Sequence, residues 1–241
     1  MLAFAPNYSA QHLSGDISQR NSSYALAGAI QEITQISSIF NSKNYLGKNA
    51  TKSNFLELSK SYDIIHLAMH AIVDEENPHK SNLIFENDER LYINELFQMK
   101  IPAHLAVLSA CNTGVGEIKE GEGVQSLSRA FTYAGVKSTL MSLWSIPDTQ
   151  TSEIMTYFYS YLKEGKTKNE ALQLAKLEYI KNSNEEVLKH PYYWAGFILS
   201  GDMMALKTTD DTLSYGGILL VAVLISGMLI LMYFKRKNKK V

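Results

Sequence analysis

The sequence contains a single cysteine, Cys111, among its 241 residues. One thiol cannot form a disulfide within the chain, and it cannot supply the ligands of a multi-cysteine zinc site. Cysteine content therefore leaves the redox compartment open. The thiol has either the packing role of a small buried hydrophobic side chain or a chemical role, and its surroundings must decide between the two.

The chain also has almost no excess of one charge sign. Its 23 basic and 24 acidic side chains leave a formal net charge of −1. Five of the basic side chains lie in residues 235–240, which leaves the preceding residues at about −6. No segment in the body of the chain has the composition of a polyanion-binding surface. The sequence therefore predicts no nucleic-acid partner.

Residues 216–234 lack any charged side chain. As a helix at about 1.5 Å per residue they would extend roughly 28 Å, close to the hydrocarbon thickness of a bilayer. The sequence therefore predicts a linker at 204–214, a single-pass transmembrane helix at 215–234 and a basic tail at 235–241. The positive-inside tendency places that tail in the cytoplasm.

A secretory signal is missing from the start of the chain, which has no basic region and too short an apolar run. Two arrangements remain open. Either the chain is the C-terminal part of a longer exported protein, or it is inserted by its tail and the globular domain stays in the cytoplasm. The side of the membrane that holds the domain is not decided by the sequence.

Residues 1–203 alternate short apolar runs with segments of helical periodicity, a pattern typical of an α/β domain with a largely parallel sheet. Six runs predict the strands of one sheet: 2–6, 43–46, 62–70, 104–110, 137–144 and 192–201. A hairpin is predicted from 82–85 and 90–93 across the polar turn Asn87–Glu89. Helices are predicted near 26–40, 51–59, 122–133, 148–163 and 167–181, with Thr51 and Asp148 as N-caps, a capping box at 167–170 and Gly135 as a C-cap.

Two reactive side chains stand at the ends of apolar runs. His70 ends the run at 62–70, and Cys111 follows the run at 104–110. Ligands bind outside the carboxyl ends of parallel strands, and neighbouring strands lie about 4.8 Å apart. If these strands are neighbours, the imidazole can take the thiol proton and make a nucleophilic thiolate. The backbone N–H groups of Ala71 and Cys111 can then hold an oxyanion.

Other chemistry fits the same residues less well. The glycine-rich loop after Cys111 carries Glu117, Glu120 and Glu122 around one lysine and has no phosphate-binding fingerprint, so nucleotide binding is not expected. This acidic run is either a solvated surface or a rim that favours basic substrate segments. His66 and His70 are about 13 Å apart if they share a strand, too far to share a zinc ion. His66 is therefore predicted to be a buried, hydrogen-bonded structural residue, and no metal is expected.

Four segments resemble the CHAT domain, a bacterial branch of the caspase-like cysteine peptidases related to separase. They are YDIIHLAMHA, VLSACNTGVG, GEGVQSLSRAFTYAGVKSTLMSLWSIPDTQT and HPYYWAGFILSGD. The resemblance implies a three-layer α/β/α caspase-like fold over residues 1–203, with a six-stranded mostly parallel sheet. It also implies His70 and Cys111 as a catalytic dyad and places Trp144 and Asp148 in the substrate cleft, with no cofactor.

Members of this family often carry tetratricopeptide repeats ahead of the peptidase, and no such repeats occur in this sequence. This absence suggests a missing upstream domain, a helical-repeat partner chain that recruits the substrate, or a minimal membrane form of the family. The function predicted from the sequence is a membrane-anchored cysteine endopeptidase that cleaves protein substrates in regulated proteolysis or signalling. The alternative is a catalytically silent peptide-binding or signalling scaffold on the same fold.

Overall fold

The computed structural model describes residues 1–8, 27–74, 77–109 and 122–206. The chain divides into two compact units, Met1–Ala205 and Leu206–Val241. All elements described below belong to the first unit.

Nine strands occur in the described part of the chain. They are β1 (Leu2–Ala5), β2 (Lys43–Leu46), β3 (Ile64–Leu67), β4 (Ala71–Ile72), β5 (Asn82–Ile84), β6 (Arg90–Tyr92), β7 (Leu105–Leu108), β8 (Ser138–Ser142) and β9 (Phe197–Gly201). Six of them form one sheet in the order β2-β1-β3-β7-β8-β9. All neighbours in this sheet are parallel except β8 and β9, which are antiparallel. The predicted six-stranded, mostly parallel sheet is confirmed.

Helices cover both faces of this sheet. The six α-helices of the described residues are α1 (Ala27–Ile39), α2 (Lys52–Leu58), α3 (Ile93–Leu96), α4 (Glu122–Tyr133), α5 (Asp148–Lys163) and α6 (Lys168–Asn182). Because strand side chains alternate between faces, Phe4 and Leu67 share a core with Phe55 of α2 and Phe131 of α4. His66, the neighbour of Leu67, points to the other face and contacts α1 and α5. This gives the expected three-layer α/β/α arrangement.

The predicted hairpin is confirmed as the antiparallel pair β5–β6. Its turn contains Asn87 and Asp88, whose φ angles of 59° and 58° lie in the left-handed region that asparagine and aspartate tolerate best. β4 adds a third strand on the other side of β5. β4 was not predicted, since two residues are too few to show a strand pattern.

Most predicted helix ends are also confirmed. The Thr51 side chain accepts a hydrogen bond from the Asn54 N–H at 3.3 Å and caps α2. Gly135 follows α4 with a φ of +109°, which a side chain would strain. One prediction was wrong by a residue: Asp148 is the first helical residue of α5, and Pro147 takes the N-cap position.

The last part of the predicted fold class needs correction. Within the ranges that the structure describes, no helix has both the length and the apolar character needed to cross a bilayer. Residues 216–234, which carried the prediction of a C-terminal transmembrane helix, lie outside those ranges. The transmembrane helix and the single-pass membrane location are therefore withdrawn, because their basis was the length and composition of this run and the basic tail after it.

Candidate active site

The carboxyl ends of three neighbouring strands lie in register at one edge of the sheet. Leu67 of β3 pairs with Leu108 of β7, and Leu108 pairs with Met141 of β8. The strands that lead to the predicted base and nucleophile are therefore adjacent, as the dyad requires. His70, Cys111 and Trp144 each stand three residues beyond this row.

His70 and Cys111 both lie beyond the observed ends of their strands. β3 ends at Leu67, three residues before the predicted strand end, so His70 lies in the connection to β4 and not on β3 itself. Cys111 and the glycine-rich loop after it lie outside the described residues. The pairing of His70 with Cys111 therefore stays a prediction.

His70 is held from two sides. Its carbonyl accepts a hydrogen bond from the Ile84 N–H of β5 at 2.9 Å, and its own N–H donates to the Tyr8 hydroxyl at 2.9 Å. The Tyr8 and His70 ring centroids are 4.5 Å apart, with the ring planes tilted by 35°. His70 is 7% exposed. A base with a fixed backbone and a packed ring is restricted to few orientations.

Tyr8 was missed by the sequence analysis. It lies three residues beyond the end of β1, at the same edge of the sheet as His70, and is 6% exposed. Burial raises its pKa far above the ordinary tyrosine value, which keeps the phenol protonated. The hydroxyl therefore remains able to donate to the Ile84 carbonyl at 2.6 Å. The sequence shows only a tyrosine three residues after the first buried strand, which does not identify its partner.

Ala71, the predicted oxyanion donor next to His70, begins β4 and is opposite Leu83 of β5. Opposed residues in an antiparallel pair alternate between hydrogen-bonded and non-hydrogen-bonded pairs. Because the Ile84 N–H bonds the His70 carbonyl, the next pair, Ala71 and Leu83, is of the non-hydrogen-bonded type. The Ala71 N–H therefore points away from β5, and β4 is the edge of its sheet. The Ala71 N–H is therefore not used in the β4–β5 hydrogen bonds, as the predicted role of oxyanion donor requires.

His66 takes part in a buried polar cluster that we call the Glu32 cluster: Glu32, His66, Ser109 and Tyr159. His66 Nδ1 is 3.0 Å from the Tyr159 hydroxyl, and His66 Nε2 is 3.3 Å from the Ser109 hydroxyl. Glu32 Oε1 is 3.0 Å from the same Nε2, within ion-pair distance but without hydrogen-bond alignment. His66 is fully buried. Both ring nitrogens are occupied inside the core, which confirms the prediction of a structural histidine.

The other members of the Glu32 cluster come from distant parts of the chain, and no local pattern marks them. Burial raises the pKa of Tyr159 well above its ordinary value, and the nearby Glu32 carboxylate raises it further. Ser109 directly follows β7 and lies two residues before Cys111. The cluster thus ties the end of β7 to α1 and α5.

Trp144, the first predicted substrate-binding residue, lies beyond β8 on the side of β9. Its indole N–H is 2.8 Å from the Tyr192 carbonyl and 2.9 Å from the Lys189 carbonyl. A side chain at Gly196 would meet the indole ring at 2.8 Å. The segment whose carbonyls accept from Trp144 also lines an open cavity of about 650 Å³. The lining residues are Glu186, Val187, Lys189, His190, Tyr192 and Tyr193. Trp144 therefore contacts the backbone of the segment that lines this cavity.

Asp148, the second predicted substrate-binding residue, faces α1. Its carboxylate accepts a hydrogen bond from the Gly28 backbone, and a side chain at Gly28 would collide with it. Desolvation raises the pKa of Asp148, and the charge of Glu32 adds to this effect. The residue retains an exposed surface. Asp148 thus lies near the Glu32 cluster, a neighbour that the sequence analysis did not anticipate.

Comparison with known proteins gives relatives of two kinds. Tetratricopeptide repeat protein 28 from Homo sapiens is 31% identical over 117 residues, and the Mus musculus protein of the same name is 29% identical over 117 residues. Each match covers 48% of this chain and 5% of the relative, so the chain spans a small part of these proteins' length. Both relatives are mammalian, which gives no support to a restriction of the resemblance to bacteria.

Among solved structures, the Arg-specific cysteine proteinase gingipain R (RgpB) superposes with a TM-score of 0.55 at 11% sequence identity. The match covers 86% of this chain and 47% of gingipain R. A complex of the pro- and mature domains of RgpB from Porphyromonas gingivalis gives a TM-score of 0.53 at 11% identity, over 86% of this chain and 48% of that one. At such low identity the likeness shows the fold alone, and the fold is that of a cysteine proteinase. A sequence model of the CHAT domain matches residues 7–202, so this chain belongs to the CHAT domain family.

Proposed function

We propose that the chain is a cysteine endopeptidase in which His70 is the general base and Cys111 the nucleophile. The observation that carries the proposal is the register of β3 and β7. These adjacent parallel strands end together at Leu67 and Leu108, and the two reactive residues follow at equal distances along the chain. Membership of the CHAT family and the cysteine-proteinase fold support the same chemistry.

In this proposal the imidazole of His70 takes the proton of the Cys111 thiol, and the thiolate attacks the carbonyl carbon of a peptide bond. The carbonyl oxygen becomes an oxyanion that accepts hydrogen bonds from the backbone N–H groups of Ala71 and Cys111. His70 then gives its proton to the leaving amine as the C–N bond breaks. Water hydrolyses the remaining thioester and regenerates the thiol.

The substrate side of the proposal is a protein or peptide segment in an extended conformation. Trp144 holds the segment 189–192, which lines an open cavity where Tyr192 and Tyr193 supply aromatic surface for a substrate side chain. Asp148 supplies an acidic group at the start of α5. The mammalian relatives are named for tetratricopeptide repeats, which motivates a helical-repeat domain or partner as the element that recruits the substrate.

A peptide-library digestion tests the proposal. The unaltered chain, Cys111→Ala and His70→Ala are incubated with the library, and new peptide termini are identified by mass spectrometry. His104→Ala is the matched control, since His104 lies at the opposite, amino-terminal end of β7. We expect cleavage by the unaltered chain and by His104→Ala, and none by the other two. Peptide binding without cleavage by the unaltered chain would favour the scaffold alternative.

A further inference from the structure

We infer that Tyr8 is a positioning residue for His70, which it holds through the backbone and the ring together. The inference rests on the proposed function, because it concerns the base of the proposed dyad. Two observations carry it: the place of the Tyr8 hydroxyl between two strands and the packing of the two rings.

The Tyr8 hydroxyl takes the place of one hydrogen bond of the β4–β5 ladder. Residues of a hydrogen-bonded antiparallel pair exchange two N–H to carbonyl bonds. The pair His70 and Ile84 has one of these, from the Ile84 N–H to the His70 carbonyl at 2.9 Å. In place of the other, the His70 N–H donates to the Tyr8 hydroxyl at 2.9 Å, and that hydroxyl donates to the Ile84 carbonyl at 2.6 Å.

The inserted hydroxyl therefore holds the ladder open at the residue that carries the imidazole. Tyr8 itself comes from the end of β1, on the other side of β3 from β7. Through this one side chain, the main sheet sets the separation between His70 and β5. The buried phenol stays protonated, so it can accept from His70 and donate to Ile84 at the same time.

The ring of Tyr8 adds a second restraint. Its centroid lies 4.5 Å from that of His70, and the planes are tilted by 35°. Contact with an aromatic face limits rotation of the imidazole, and the electron-rich face attracts the positive charge that the imidazole acquires when it takes the thiol proton. Tyr8 thus favours both the orientation and the charged form that the proposed chemistry needs.

Removal of the hydroxyl makes a specific change. In Tyr8→Phe the ring remains, but the His70 N–H and the Ile84 carbonyl lose their bridge and can close on each other directly. His70 then shifts toward β5 and away from its position at the strand ends. A displacement of the order of 1 Å in a reacting group can lower a rate by up to about a hundredfold. We expect about a tenfold loss, because the ring contact is kept.

The test is the alkylation rate of Cys111 by iodoacetamide, which is unambiguous because the chain has one cysteine. Rates are measured for the unaltered chain, Tyr8→Phe, His70→Ala and the double variant. Tyr179→Phe is the matched control, since Tyr179 is also buried and its hydroxyl also donates to a backbone carbonyl, that of Leu188 at 3.1 Å. We expect a loss of about tenfold for Tyr8→Phe and less than about twofold for Tyr179→Phe.

The double variant separates positioning from general damage. If Tyr8 acts through His70, Tyr8→Phe has less than about a twofold effect once His70 is alanine. If Tyr8→Phe lowers the alkylation rate equally with His70 present and with His70 replaced by alanine, the inference is overturned. It is also overturned if Tyr8→Phe reacts at the unaltered rate while His70→Ala reacts slowly. If His70→Ala reacts as fast as the unaltered chain, the proposed function itself fails, whatever Tyr8 does.

Tryptophan fluorescence verifies that each variant is folded. Should Tyr8→Phe fail to fold, hydrogen exchange of the His70 amide in the unaltered chain decides the matter. A bridge through a buried hydroxyl predicts protection of about a hundredfold or more. Exchange at the rate of an unstructured peptide would overturn the inference.

Discussion

Replacement of Glu32 by alanine is expected to weaken the fold substantially. The Glu32 carboxyl group contacts the imidazole of His66 at 3.0 Å, and the two side chains are 3% and 0% exposed. Solvent neither screens this contact nor replaces it when the carboxyl group is lost. His66 Nε2 would keep only the longer contact of 3.3 Å to Ser109.

The size of the effect follows from this burial. Removal of one partner of a buried pair destabilises a protein by about 3–5 kcal/mol. A Glu32→Gln change keeps the shape and a polar partner, so we expect about 1–3 kcal/mol. With a urea m value of about 2 kcal/mol/M, the alanine variant should unfold at a midpoint lower by about 1.5–2.5 M.

Urea unfolding followed by tryptophan fluorescence measures this directly, because Trp144 and Trp194 both lie in the first compact unit. Gln31→Ala is the matched control on the same helix, since Gln31 is exposed and should change stability by less than about 0.5 kcal/mol. A Glu32→Ala midpoint within error of the unaltered chain, or above that of Glu32→Gln, would refute the assigned role of the Glu32 cluster.

Three further changes test separate features of the fold. Because burial raises the pKa of Asp148, its ionisation disfavours the folded state, and stability is lost as the pH rises through the interval between the ordinary and the raised pKa. Asp148→Asn should therefore raise Tm at about pH 7 and leave it unchanged at about pH 3; an equal shift at both would contradict this. Thr51→Ala removes the acceptor of the Asn54 N–H and should lower the free energy of unfolding by about 1 kcal/mol, whereas Thr51→Ser should not. Gly201→Ala places a side chain against Lys137 at a φ of +95° and should lower stability by more than about 1 kcal/mol in thermal unfolding; an unchanged Tm would show that β9 tolerates it.

The sheet could be predicted because its central strands β1, β3, β7 and β8 are short and fully buried. Continuous apolar runs such as 62–70 mark strands covered on both faces. The same property makes strand ends hard to place. Ala68 and Met69 are as buried as β3 itself although they follow its last ladder residue, Leu67. Burial continues beyond the last ladder residue, and the sequence pattern reports burial.

The candidate site was predictable in part for the same reason. His70 and Cys111 end apolar runs, and adjacency of their strands needed only the usual packing of a parallel sheet. Tyr8 and Glu32 were not found, because their contacts join positions far apart in the chain. The hydrogen bond between Tyr8 and His70 spans 62 residues. No period or motif encodes such a pair.

The expectation for residues 216–234 differed from these cases. It rested on composition and length only, with no partner element to confirm the pattern. In the sheet, each predicted strand was supported by the register of its neighbours.

The central claim is that His70 acts on the Cys111 thiol, and a titration of that thiol tests it most directly. The ultraviolet absorbance of the thiolate is followed against pH in the unaltered chain and in His70→Ala, with Cys111→Ala as the blank. A thiol paired with an imidazole ionises well below the ordinary cysteine pKa of about 8.5, and loss of the imidazole returns it toward that value. We predict a midpoint at least about one pH unit lower in the unaltered chain than in His70→Ala. Identical midpoints near about 8.5 in both proteins would contradict the account.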